Sequence, residues 1–260
     1  MKIILILLPQ ILVLLIPLSG WQLMVSYIVM MFVALKLATL IAEPAKDWQL
    51  TISYSFFWPG MNIREFKERY EQSVNFTDGT ISLLVGILLA SVALLSDGIS
   101  TLLFAFLAMF FLFHFGALDL LARLWQKAGR NVKPIMAAPW KAQNLADFWG
   151  KRWNLAFRDG VHKILYKPVS RKAGSKAGIF VVFLYSGIVH EAVISVAASG
   201  GYGGPTVYFI IQFLAILAQR EFNYLQKFWF TWATILLPTP LLFHEAFFLN
   251  VLIPILNQGG

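Results

Sequence analysis

Residues 186–193 read SGIVHEAV, preceded by FVVFLY (180–185) and followed by ISVAA (194–198). His190 and Glu191 are ionisable, yet the run around them has the composition of a segment enclosed by hydrocarbon. Thirteen uncharged residues separate His190 from Lys176. At about 1.5 Å per helical residue His190 lies roughly 20 Å into a hydrocarbon core of about 30 Å. A charge at that depth costs on the order of a few kcal/mol, which makes an intramembrane ionisable residue a candidate functional site. Ser186 and Gly187 precede His190 by four and three positions, on the same helical face. Small residues there let a neighbouring helix, or a substrate, approach closely. Glu191 is rotated by about 100° and pairs with a different helix. The plainer alternative is a His hydrogen-bonded to hold two helices together.

The whole chain agrees with a membrane reading. Of 260 residues, 58% are hydrophobic and 13% charged, and the mean hydropathy is +0.70. Soluble domains average roughly 45–50% apolar and about 25% charged residues. The chain has no cysteine, which excludes disulfides, thiolate metal sites and a cysteine nucleophile. No two of His114, His162, His190 and His244 stand at metal-ligand spacing, so no metal site is expected. Lys2 precedes an apolar run without a small-x-small cleavage site, which reads as a retained transmembrane helix.

Pro17 and Gly20 divide the first apolar run into helices near 3–18 and 21–41. Further apolar segments lie near 80–96, 99–118, 177–197, 205–219, 228–243 and 245–256. The expected class is therefore all-α: a polytopic membrane protein of about eight transmembrane helices, since lipid leaves no partner for unpaired backbone groups. One domain over 1–260 is expected, with a peripheral hairpin at 1–45 and a core at 46–260. Thirteen of the 21 Lys and Arg residues fall in 119–176 against three acids, a segment charge of +10. Five more lie in 36–79, whereas the turns near Ser19–Gly20, Asp97 and Ser199–Gly204 carry none. By the positive-inside rule the basic face and both termini are cytoplasmic.

Two loops do more than connect. WQLTISYSFFWPGMN (48–62) sets Trp48, Tyr54, Phe56, Phe57 and Trp58 before Pro59–Gly60, a cluster suited to the headgroup level. In 140–168, Asn144 is a reasonable N-cap with Asp147 in the first turn. Leu145, Trp149, Trp153, Ala156, Gly160 and Ile164 then recur at three- and four-residue spacing, the pattern of an amphipathic or re-entrant helix on the cytoplasmic side. Its basic charge suits either anionic lipid or a cationic vestibule for an anionic substrate. His244–Glu245, at a junction of apolar segments after Pro238 and Pro240, reads as an interfacial pair satisfied by water. His114 reads as a packing residue or one acting through another. There is no phosphate-binding Gly-rich loop and no G-x-S-x-G elbow, and nucleic acid is excluded as a partner.

FWGKRWN (148–154), Tyr166–Lys167–Pro168–Val169 and SGIVHE (186–191), in this order and spacing, resemble the membrane-bound O-acyltransferase family, in particular its wax synthase-like branch. FFWPGMN (56–62) resembles the amino-terminal part of bacterial members, which implies a bacterial inner membrane. The resemblance covers roughly 50–260. It implies an acyl-CoA co-substrate, a hydroxyl-bearing lipophilic acceptor and no further cofactor. It makes His190 the catalytic His and Asn154 the motif Asn. Trp149, Lys151, Arg152, Trp153 and Arg158 become candidates for acyl-CoA binding, with Ser186, Gly187 and Glu191 in support. The alternative from another class is a small proton-coupled transporter with His190 and Glu191 as a relay; no internal repeat supports it. A reporter fused at Gly129 is expected in the cytoplasm and one at Gly201 outside it. Both on one side would overturn the span count between them.

Overall fold

The computed structural model describes residues 11–13, 15–18, 20–44 and 47–257. Among these the chain is helical; no strand forms, and Arg69 with Arg130 makes an isolated antiparallel bridge. Four helices are long and apolar enough to cross a membrane: Gly20–Ala42, Thr77–Leu94, Ile99–Lys127 and Leu155–Val196. The pair Phe228–Leu242 and Glu245–Leu256, bent by 62°, makes a fifth if it is one span. The polytopic all-helical class holds, whereas the expected count of eight is not reached. The helix near 3–18 lies largely outside the described residues. The segments near 228–243 and 245–256 merge into the bent pair. Gly204–Glu221 forms, but Gln212, Gln219, Arg220 and Glu221 leave it less apolar than a lipid-facing span.

The chain divides into two compact units. One takes in the residues up to Ala42, Ala142–Phe148 and Gly160–Gly260; the other takes in Glu43–Lys141 and Trp149–Asp159. In the first unit, Gly20–Ala42 packs against the turns at Glu191–Val196 and Phe248–Leu252. Lys36, which its place at the end of an apolar run assigns to the basic loop, is instead only 3% exposed inside this helix, near the Phe32 ring.

Leu155–Val196 is not one straight rod. Gly174 has φ +83° and ψ 166°, and the chain folds back there. A Cβ on Gly178 would lie 3.0 Å from atoms of both Ser170 and Tyr166. Twelve residues along a straight helix span about 18 Å, so Tyr166 and Gly178 meet only because the helix reverses. The left-handed φ that the reversal needs is open to glycine at no steric cost.

The following helix, Gly204–Glu221, crosses the returning helical arm of this hairpin closely: a Cβ on Gly187 would sit 2.9 Å from Thr206 Cα. Tyr208, Gln212, Ala215 and Gln219 are buried on one of its faces. They meet a helix, Phe228–Leu236, that two prolines terminate. Pro238 has no N–H to offer the Thr234 carbonyl four residues back, and Pro240 none for Leu236. Gln212 Nε2 donates to Thr234 O at 2.7 Å, and Tyr208 Oη donates to Ile235 O at 3.2 Å. Thr239 Oγ1 donates to Leu236 O. Gln219 Oε1 accepts the Leu145 N–H at 2.9 Å. Polar side chains in this helix thus supply the partners that water cannot supply in hydrocarbon.

In the second unit Thr77–Leu94 and Ile99–Lys127 pair through small residues. A Cβ on Gly86 would lie 2.7 Å from Leu112 Cγ, and one on Gly116 would lie 2.5 Å from Leu83. The aromatic loop divides: Tyr54 and Trp58 are buried, whereas Trp48, Phe56 and Phe57 are exposed and suit the headgroup level.

Gln212→Leu keeps the bulk but strands the Thr234 carbonyl. It is expected to cost about 1–3 kcal/mol, read as a lower thermal unfolding midpoint in detergent. An unchanged midpoint would mean that water reaches the Pro238 break.

Candidate active site

His190 is the last residue of the α-helical part of its segment; from Glu191 to Val196 the backbone widens into a π-turn. Such turns are rare and are concentrated at functional sites. His190 is half-buried, its ring 4.5 Å from that of Phe209. Its Nδ1 lies 2.7 Å from the Ser186 carbonyl oxygen. A carbonyl only accepts, so Nδ1 carries the proton, and a neutral imidazole then leaves Nε2 with a free lone pair. That nitrogen has no hydrogen-bond partner among the described residues. The ring is therefore oriented by its own helix and presents a proton acceptor.

Glu191 looks elsewhere. Its Oε2 accepts from Gly203 N at 3.2 Å and its Oε1 from Thr206 N at 3.0 Å, both at the start of the Gly204–Glu221 helix. Backbone N–H groups at a helix start are unpaired within the helix and attract an anion. Glu191 does pair with a different helix, as its rotation from His190 implies. Both carboxylate oxygens are so engaged. Gly203 itself has φ +87°, and Pro205 follows in the first turn; the Gly-Gly-Pro run could have located this helix start from sequence alone. Of the two supporting residues, Ser186 gives His190 its backbone carbonyl while its hydroxyl donates to Val182 O. Gly187 admits the neighbouring helix at Thr206 rather than a substrate.

His244 departs from expectation. Instead of facing water it caps the turn that begins at Glu245: Nδ1 accepts from Phe247 N at 3.3 Å. The proton is then on Nε2, which donates to Ser195 Oγ at 3.2 Å, and Ser195 passes its own to Gly201 O at 3.3 Å. Ser195 is fully buried. Both nitrogens of this ring are spent on structure.

Asn154 belongs to the second unit, with Trp149, Lys151, Arg152, Trp153 and Arg158. The expected continuous amphipathic helix over 140–168 does not form. Asn144 caps a short turn as expected, its Oδ1 accepting from Asp147 N at 2.8 Å. The backbone then widens over Phe148–Arg152 and breaks at Asn154, which has φ +43°. Asn tolerates this left-handed conformation, and its Oδ1 accepts from Phe157 N at 3.1 Å to start Leu155–Val161. Periodicity extended across the break joins two elements that a capped left-handed residue separates. The Nδ2 of Asn154 has no partner among the described residues, which leaves a free amide donor.

The basic side chains differ in availability. Arg152 Nη1 lies 3.4 Å and 3.3 Å from the carbonyls of Ala137 and Ala138, and Arg158 pairs with Asp159 at 3.0 Å. Lys151 is exposed. Trp149 and Trp153 are half-buried, Trp153 lying against Phe110 and Phe115 at 6.2 Å and 6.3 Å.

Residues 132–212 match the model of the membrane bound O-acyl transferase family. This stretch, about a third of the chain, is similar to that family. The matched stretch contains Asn154, the Gly174 hairpin, His190 and Glu191, and ends at Gln212; it leaves out His114 and His244. Probable long-chain-alcohol O-fatty-acyltransferase 7 of Arabidopsis thaliana is 36% identical over 73 residues, 25% of this chain and 22% of that protein. Probable long-chain-alcohol O-fatty-acyltransferase 3 of the same plant is 28% identical over 113 residues, 39% and 33% of the two chains. The long-chain-alcohol O-fatty-acyltransferase of Simmondsia chinensis is 34% identical over 71 residues, 24% and 20%. The chain thus spans 20–33% of the length of these relatives.

His244→Ala removes a cap and is expected to cost about 1 kcal/mol. The check is a lowered unfolding midpoint in detergent with whatever activity the parent has retained per folded molecule. Activity lost at full stability would reassign the second His–Glu pair to chemistry.

Proposed function

We propose that this chain transfers an acyl group from acyl-CoA to the hydroxyl of a long-chain, membrane-dissolved alcohol, with His190 as general base. The carrying observation is the bare Nε2 of His190, set by the 2.7 Å bond from Nδ1 to the Ser186 carbonyl. The match of residues 132–212 to the family and the activity for which the relatives are named support the reaction class.

In the proposed step the alcohol O–H gives its proton to Nε2 as its oxygen bonds to the thioester carbonyl carbon. The carbon–sulfur bond then breaks, and the CoA thiolate takes the proton back from the imidazolium. The products are an ester and free CoA, with no covalent enzyme intermediate. Asn154 is the second functional residue on the resemblance and on its Nδ2, which has no partner among the described residues. On this reading the basic residues of 119–176 lie towards the cytosol, where CoA remains, while the alcohol and acyl chain stay in the membrane. The proton-relay alternative is weakened by Glu191, whose two oxygens are occupied by a helix start.

Purified protein is expected to release CoA and form ester when given a long-chain acyl-CoA and a long-chain alcohol. His190→Ala is expected to lower that rate by about 10²–10⁴-fold while the protein stays inserted and folded. Asn154→Ala is expected to be damaging but to leave measurable turnover. Retained turnover in His190→Ala removes the base assignment. If the parent releases no CoA with long-chain alcohols, sterols, diacylglycerol or sugar alcohols, acyl transfer itself is rejected.

A further inference from the structure

His114 lies in the second unit, inside the membrane-crossing helix Ile99–Lys127, where Phe110–Ala117 forms another π-turn. An imidazole within a span is costly unless its polar atoms are used. Leu112 and Gly116 face Thr77–Leu94, as their close approaches to Gly86 and Leu83 show. His114, two residues from each, points to the opposite side of its helix. There its ring stacks on Phe110 at 4.9 Å and meets the Phe113 ring edge-on at 5.3 Å. Phe110 in turn touches Trp153 of the FWGKRWN segment, next to Asn154.

The Nδ1 of His114 is buried and has no hydrogen-bond partner among the described residues. A neutral imidazole carries one proton. A buried N–H without an acceptor is rarer and more costly than a buried lone pair, so that proton belongs on Nε2. Nε2 is not among the sealed polar atoms and is likewise without a partner among the described residues. The ring therefore holds a single N–H donor, framed by aromatic side chains and unmatched by any acceptor among the described residues.

We infer that His114 is a lipid-oxygen binding residue: Nε2–H donates to the hydroxyl oxygen of the membrane-dissolved alcohol whose chain lies along Phe110, Phe113 and Trp153. The identity of the ligand rests on the acyl-transfer reading; the donor site itself does not. Aromatic and aliphatic surface accepts the alkyl chain, while one fixed donor selects an alcohol over a hydrocarbon of the same length. Unlike His190, whose Nδ1–H is spent on its own helix, this ring keeps its proton for a ligand.

The experiment compares the parent, His114→Phe and His114→Gln, each checked for membrane insertion and thermal stability. His114→Phe keeps the stacking and removes the donor; His114→Gln places an amide N–H near the Nε2 position. In ester synthesis, His114→Phe is expected to raise the KM for hexadecanol on the order of tenfold, with the KM for acyl-CoA unchanged and His114→Gln recovering most of the loss. Independently of turnover, hexadecanol is expected to raise the unfolding midpoint of the parent more than hexadecane does. That difference is expected to vanish in His114→Phe. A rise in the KM for acyl-CoA instead, equal effects of Phe and Gln, or an unchanged hexadecanol–hexadecane difference overturns the assignment. If the parent makes no ester at all, the acyl-transfer reading falls, and the binding comparison still decides whether His114 holds a hydroxyl.

Discussion

The Glu191 carboxylate holds the amino end of the Gly204–Glu221 helix, the helix against which the segment carrying His190 packs. Two backbone N–H groups that no helix can pair for itself are closed by one side chain from the turn directly after His190. The π-turn is thereby fixed to the next helix, and Gly187 lets the two backbones come together at Thr206. From the same helix Tyr208, Gln212 and Gln219 reach the carbonyls and amides that Pro238 and the neighbouring loops release. In hydrocarbon an unpaired backbone group has no water to turn to, so each break in a helix calls for a named polar side chain nearby. Removing Glu191 would free the turn that carries His190 as well as a helix start.

The two His–Glu pairs show how position relative to a helix end decides chemistry. At 190–191 the His closes an α-helical stretch, satisfies one nitrogen on its own backbone and leaves the other bare, while the Glu caps a different helix. At 244–245 the His precedes a helical turn and is itself the cap, with its second nitrogen given to Ser195. The same dipeptide leaves an imidazole nitrogen without a partner among the described residues in one place and makes a structural bracket in the other. His114 is a third case: an imidazole with no hydrogen-bond partner at either nitrogen among the described residues, on the side of its helix where Trp153 packs against Phe110.

Asn154 combines two properties often treated as alternatives. Its φ of +43° and its capping of Phe157 N give a conformational reason for asparagine at that place, because few other residues adopt this backbone and still offer a short side-chain oxygen. The same geometry spends the oxygen and leaves the Nδ2 donor. A helix cap and a free amide are the two ends of one side chain.

The membrane class, most of the helical segments, the cap at Asn144 and the divergence of Glu191 from His190 were legible in the sequence. Each depends on composition or on the fixed 100° step of a helix. The FWGKRWN and SGIVHE segments were also legible as a family pattern, which the match over 132–212 bears out. Other features were decided by tertiary structure alone: the chain reversal at Gly174, the burial of Lys36, the break at Asn154, the role of His244 and the orphan nitrogen of His114. The reason is physical. Periodicity records which face of a helix is apolar, but not whether a glycine or asparagine takes a left-handed φ and ends that helix. Nor does it record which distant carbonyl a polar side chain will meet, since that partner is set by packing between segments far apart in the chain.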